Sequence, residues 1–141
     1  MLLKKRFYLS LLLAVCAAAA WFLSPYLLRA AFSVSGTVEL EPVPGQKVLK
    51  SNTMLFIVAR GEAGVPFAVL KIINPSFPLQ YSMDGSDLIL PELLPFRFRL
   101  EAFLNTHGEI GVPRPGDFYG ATGEELLLIS KAGDLLLRKK E

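Results

Sequence analysis

Polar and apolar positions along the chain fall into two regimes. From Phe7 to Leu28 runs a stretch of 22 residues without a charge, preceded by Lys4-Lys5-Arg6. A helix needs roughly 20 apolar residues to cross about 30 Å of hydrocarbon, so this run predicts one membrane-spanning helix. Beyond it the pattern changes to a period of two. From Ser33 to Glu41, Val34, Gly36, Val38 and Leu40 alternate with Ser35, Thr37, Glu39 and Glu41. That spacing puts one face of a strand in a core and the other in water. Pro42, Pro44 and Gly45 then supply turn chemistry.

The next segment, Met54 to Ala59, is apolar throughout and ends at Arg60-Gly61. It reads as a central strand covered on both faces. A turn over Gly61 to Pro66 leads into a strand from Phe67 to Ile73, the two forming a hairpin. Asn74-Pro75 breaks it. Leu79, Tyr81 and Met83 share one face of a further strand that closes at Asp84-Gly85. Arg97 to Leu104 alternates again, placing Phe98, Leu100, Ala102 and Leu104 inward. Asn105 to Gly108 is a turn, and an irregular stretch with Pro113, Pro115 and Gly116 leads to Phe118-Tyr119-Gly120. For residues 123–141 two readings stay open. Glu125 to Ile129 and Leu135 to Leu137 suit a hairpin, whereas Thr122 and Glu125 have capping-box spacing for a helix. About seven short strands with turn signals between them predict an all-β domain, an antiparallel sandwich or a small barrel.

The chain thus divides into a basic tag and anchor over 1–32 and a β-domain over 33–141. Positive charge stays cytoplasmic, so the anchor is expected N-in and C-out, crossing its membrane once. A retained anchor is favoured because the run exceeds the apolar core of a signal peptide. Two other fates stay open. Ala17 to Ala20 offer small-residue cleavage sites, and Leu13-Ala14-Val15-Cys16 resembles a bacterial lipobox, although Val15 is large for its position. Cys16 is the only cysteine, so the β-domain has no disulfide to form.

Charge adds little. A net +2 spread along the chain makes no footprint for nucleic acid. With a single histidine, His107, the β-domain lacks the four nitrogen or sulfur ligands of a structural zinc site. No cofactor, metal site or catalytic group is expected, and His107 reads as a solvated turn residue. Asp84, Asp87 and Glu92 read as turn chemistry and not as a calcium loop. Arg60 reads as a strand end that can form an edge ion pair. Arg138 to Lys140 read as a solubilising end, with anionic lipid as the alternative. Phe56, Phe67 and Phe98 are expected in the core. Phe77, Phe96, Phe118 and Tyr119, beside prolines or glycines in loops, are the candidate partner contacts.

Several of these segments resemble a known family. Gly36-Thr37-Val38 with Leu40 and Pro42 looks like the start of the C-terminal β-domain of CcmI/CycH-type cytochrome c biogenesis proteins. Thr53 to Arg60 (TMLFIVAR) is similar to that domain's T-L-F-V-F-A-R strand, and Pro66-Phe67-Ala68-Val69 to its P-L-A-V. Phe77-Pro78-Leu79, Met83-Asp84 and Pro91 follow in order, and Gly108 with Pro115 to Gly120 resembles its closing S-G … P-G-D-x-x-G. The resemblance covers roughly 34–122 and omits the tetratricopeptide-repeat region altogether. It implies an immunoglobulin-like β-sandwich in the periplasm, and an accessory role in c-type cytochrome maturation. The implied partner is an apocytochrome c or a haem-lyase subunit. The competing expectation is a structural or scaffold β-domain of another cell-envelope complex, since fold does not fix function.

Overall fold

A computed structural model describes residues 2–45, 49–89, 94–130 and 133–141. The first element is α1 (Leu2–Ala31), long and apolar enough to cross a membrane and unburied by the rest of the chain. Its two serines hide their hydroxyls against the helix itself. Ser10 Oγ donates to the Phe7 carbonyl at 2.8 Å and Ser24 Oγ to that of Trp21 at 2.9 Å. Such back-bonding makes serine tolerable among lipid chains.

Eight strands follow among the described residues: β1 (Ser33–Leu40), β2 (Met54–Gly61), β3 (Pro66–Ile73), β4 (Leu79–Asp84), β5 (Arg97–Asn105), β6 (Phe118–Ala121), β7 (Leu126–Leu127) and β8 (Leu135–Lys139). Hydrogen bonding runs in the order β3-β2-β5-β6-β8-β1-β4, with β7 paired to β5. The two ends of that path meet. Past the 3₁₀ turn Gly85–Asp87, Leu88 bridges Ala68 of β3, and the Ile89 N–H donates to the Phe67 carbonyl at 2.8 Å. The sheet is therefore nearly closed and barrel-like. The domain is β as expected, following one apolar helix, but the strands follow one continuous path in place of the two facing sheets of an immunoglobulin-like sandwich.

Alternation fills the interior. Val34 and Val38 of β1, Leu55, Ile57 and Ala59 of β2, Tyr81 and Met83 of β4, Phe98, Leu100, Ala102 and Leu104 of β5, and Leu135 and Leu137 of β8 form one core. β2 is buried on both faces, as its unbroken apolar run predicts, yet Phe56 does not point inward. With Val58 and Phe103 it makes a second, outer cluster, covered by Met54, Val69 and Tyr119. Phe67 and Phe98 do join the core. Phe67 gets there through a β-bulge: Ala59 pairs with Ala68 but Arg60 with Pro66, so Phe67 is the extra residue whose ring is redirected.

The tail forms neither the hairpin nor the helix expected of it. β7 lies on the start of β5, and β8 inserts between β6 and β1, parallel to β1. The reason lies at Gly133. Its N–H donates to the Ser35 carbonyl at 3.0 Å, and a Cβ there would stand 2.6 Å from the Tyr81 hydroxyl and 2.6 Å from Leu100 Cδ1. The Tyr81 hydroxyl donates to the Gly133 carbonyl, and the Thr37 N–H donates to Asp134 Oδ1 at 2.8 Å. These long-range bonds hold the last segment across β1, where a local hairpin would have kept it beside β7. Burial, and then the nearby Asp134 carboxylate, push the Tyr81 phenol well above its ordinary value, so it stays a donor.

Tyr81→Phe leaves the buried Gly133 carbonyl without this partner. Chemical unfolding of the detergent-solubilised chain is expected to show a loss of about 1–3 kcal/mol. A loss near zero would mean that the bond does not hold β8 in place.

Candidate functional site

The helix reaches the barrel without a linker. Phe32, between α1 and β1, keeps its N–H on the Leu28 carbonyl at 3.0 Å while its side chain is buried. Its ring meets Phe67 at 5.6 Å and Phe98 at 5.9 Å, edge to face, and those two meet at 5.5 Å. Three such contacts close the barrel end nearest the helix. Behind them the 3₁₀ turn touches α1 directly: a Cβ on Gly85 would lie 2.7 Å from the Arg29 carbonyl, so only glycine fits. Asp84 and Asp87 shape that turn as a reciprocal cap. Asp84 Oδ1 accepts from the Ser86 N–H at 2.8 Å and the Ser86 hydroxyl at 2.6 Å, and Asp87 Oδ2 accepts from the Asp84 N–H at 2.9 Å. Turn chemistry thus accounts for both aspartates. Glu92, grouped with them in the sequence, lies outside the described residues, as does Pro91.

Around this end several large apolar side chains face outward: Val65 in the β2–β3 turn, Ile89 after the 3₁₀ turn, Phe96 before β5, Leu127 in β7 and Ile129 after it. Phe96 is 77% exposed. A groove of about 480 Å³ runs between the β2–β3 turn and the segment Leu94 to Phe96, with Phe67 at its floor.

The four aromatics picked out by the sequence do not converge. Phe96 stands on this rim. Phe77 is half-buried at the opposite end, beside Leu40 and Leu49. Phe118 and Tyr119 belong to a strand, not a loop, and Phe118 is buried in the core. Tyr119 lies over Phe103 at 5.2 Å with its hydroxyl 3.4 Å from Glu101. Burial, followed by the Glu101 charge, raises its phenol above the ordinary value. Periodicity missed Phe32, Val65 and Ile89, because each sits at a break between elements, and in the unbroken run Leu126 to Ile129 it could not say that Leu127 and Ile129 face outward. The one available signal was the absence of any Gly, Ser or Pro between the apolar helix and β1.

Arg60 does form the cross-strand pair open to it, its Nε 2.7 Å from Glu101 Oε2, beside the outer cluster. His107 is half-buried rather than solvated. The Glu109 N–H donates to its Nδ1 at 3.2 Å, so its ring proton sits on Nε2 and is donated to Asp117 Oδ2 at 2.9 Å. Asp117 also accepts from the Arg114 N–H at 2.7 Å, and the loop between β5 and β6 is tied into one piece. Arg138 to Lys140 lie at this far end, exposed, remote from α1. Among the described residues no three His, Cys, Asp or Glu side chains are grouped to hold a metal ion.

Comparison with known proteins changes the family reading. No family model matches the chain. An uncharacterised protein of Aquifex aeolicus (strain VF5) is 33% identical over 89 residues, which are 62% of this chain and 59% of that relative's length. Among solved structures the chain is similar to an alternative pilotin from the type II secretion system of Vibrio cholerae. The likeness has a TM-score of 0.53 at 15% identity and covers 77% of this chain and 96% of that one.

The likeness to a pilotin overturns the resemblance to CcmI/CycH-type proteins, and with it the role in cytochrome c maturation. The matching segments have a local explanation. TMLFIVAR is what a strand buried on both faces requires, and Pro115 to Gly120 carries the aspartate that ties the far loop. Both are general β-domain chemistry. With the resemblance withdrawn, no residue argues for an apocytochrome or haem-lyase partner.

The Asp84 cap makes a pH prediction. Bonds from Ser86 lower its carboxyl below the ordinary 3.8. A group depressed in the folded state contributes stability above its unfolded value and loses it as pH falls through the folded one. The Ser86 amide resonance is therefore expected to titrate with a midpoint below 3.8. A midpoint at or above that value would show the cap to be absent.

Proposed function

We propose that this chain is a non-catalytic scaffold component of a cell-envelope complex, held at the membrane by α1, and that the complex belongs to protein secretion machinery of the type II kind. The observation that carries this reading is the fold likeness to a type II secretion pilotin over nearly the whole of that chain. The direct passage from α1 into the core supports the membrane-held part, because a domain with no linker works where its helix sits. The orientation proposed is N-in with the barrel in the periplasm, from Lys4, Lys5 and Arg6. The partner is a protein of the same complex, met by surface and not by chemistry on a bound group.

Deleting the gene and comparing culture medium with periplasm, beside a complemented strain, tests the secretion part. Exported proteins are expected to leave the medium and accumulate in the periplasm, with complementation restoring them. An unchanged medium would sink the secretion reading. Intact mass of the protein extracted from membranes tests retention of α1. The expected species retains the residues of α1; a chain beginning within or after Ala17 to Ala20, or one carrying lipid on Cys16, would replace the anchor with a cleaved or lipidated end.

A further inference from the structure

We propose that the helix-proximal rim of the barrel is a lipid-contacting surface, seated at the boundary between headgroups and acyl chains of the membrane that α1 spans. The inference rests on the reading of α1 as a retained anchor.

Length fixes the position. The uncharged run ends at Leu28, Arg29 is the first charge after it, and β1 starts at Ser33. At 1.5 Å per residue, Ser33 stands about 8 Å beyond the apolar run. The headgroup layer extends roughly 5–8 Å past the hydrocarbon on each side. The near end of the barrel therefore begins inside that layer or at its outer edge.

The junction keeps it there. Phe32 is held by the Phe67–Phe98 pair, the Ser33 N–H donates to the Leu128 carbonyl at 3.5 Å, and Gly85 abuts Arg29. No flexible residue separates helix from core, so the barrel cannot lift away from the bilayer while α1 remains in it.

The rim has the composition for that place. Val65, Ile89, Phe96, Leu127 and Ile129 come from four separate segments, and all face outward at this end. Exposed apolar surface gathered at one place marks an interaction site, and here it lies at the end of the barrel that α1 enters. The charges nearby are of both signs: Arg97 and Arg99 lie around Glu125 at 4.0 and 3.7 Å. That mixture suits the acyl–headgroup boundary of any phospholipid and not an anionic headgroup in particular.

Trp21 in α1 is the only tryptophan, which makes a clean fluorescence test. The full chain is placed in phosphatidylcholine vesicles, with and without lipid brominated on the acyl carbons nearest the headgroup. A Phe96→Trp reporter in a Trp21→Phe background is expected to emit to the blue. It should lose about half its intensity to the bromines, as for a side chain buried within 5–10 Å of the boundary. Ile129→Trp in the same background is an independent reporter with the same expectation. Val112→Trp, at the exposed far end, should emit as in water and stay unquenched.

If the rim reporters are unquenched while Trp21 of the unaltered chain is quenched by deeply brominated lipid, the rim proposal fails and the anchor stands. If Trp21 is unquenched as well, the anchor reading itself fails. A blue-shifted but unquenched rim reporter would mean that a second protein surface covers the rim, which also overturns the proposal.

Discussion

The burial of Phe32 is the contact on which the rest of the arrangement depends. A residue at a helix–strand boundary ordinarily belongs to a hinge. Here its backbone still completes the last turn of α1 while its ring stands among Phe67 and Phe98. Helix and barrel thus share a residue that neither can release. A buried phenylalanine of this kind is worth about 3–5 kcal/mol against alanine, a large share of a small domain's stability. The bulge in β3 serves the same contact, since regular pairing would turn Phe67 outward. The 3₁₀ turn adds a second touching point through Gly85.

The other constraint is closure. A seven-strand path leaves two edges, and edges invite pairing with other chains. This chain manages them by bringing Leu88 and Ile89 back onto β3 and by threading β8 between β1 and β6. Parallel pairing of the first and last strands makes the domain depend on contacts of high sequence separation, so the final residues are as structural as the first. Tyr81, Gly133 and Asp134 hold that strand from within.

What the sequence revealed was local. Strand positions from β1 to β5, the β2–β3 hairpin and the apolar helix follow from periodicity, because each is decided by residues a few positions apart. The pairing of β8 with β1 was illegible, since no local pattern tells a strand which distant neighbour it will meet. The misreading of Phe56 has a similar cause. In a segment apolar at every position, alternation no longer says which face is inside. Of the rim, Phe96 alone was singled out: Val65, Ile89, Phe96 and the pair Leu127 and Ile129 lie on four separate segments and gather only when the near-end segments are brought together. The family resemblance failed because its segments encode burial and turns, which unrelated β-domains share.

The tied loop at the far end, with His107 and Asp117 at its centre, carries a consequence for distance. β5 spans nine residues, a strand of close to 30 Å at about 3.3 Å per residue, which at the usual tilt of roughly 35–45° makes the barrel about 20–25 Å tall. A barrel joined stiffly to its helix at one end, and braced by a bonded loop at the other, is a spacer of fixed height. With α1 in a bilayer, whatever meets the loop between β5 and β6 is met at a set altitude above the lipid. The stiffness of both ends, more than any single contact, makes that distance a property of the fold.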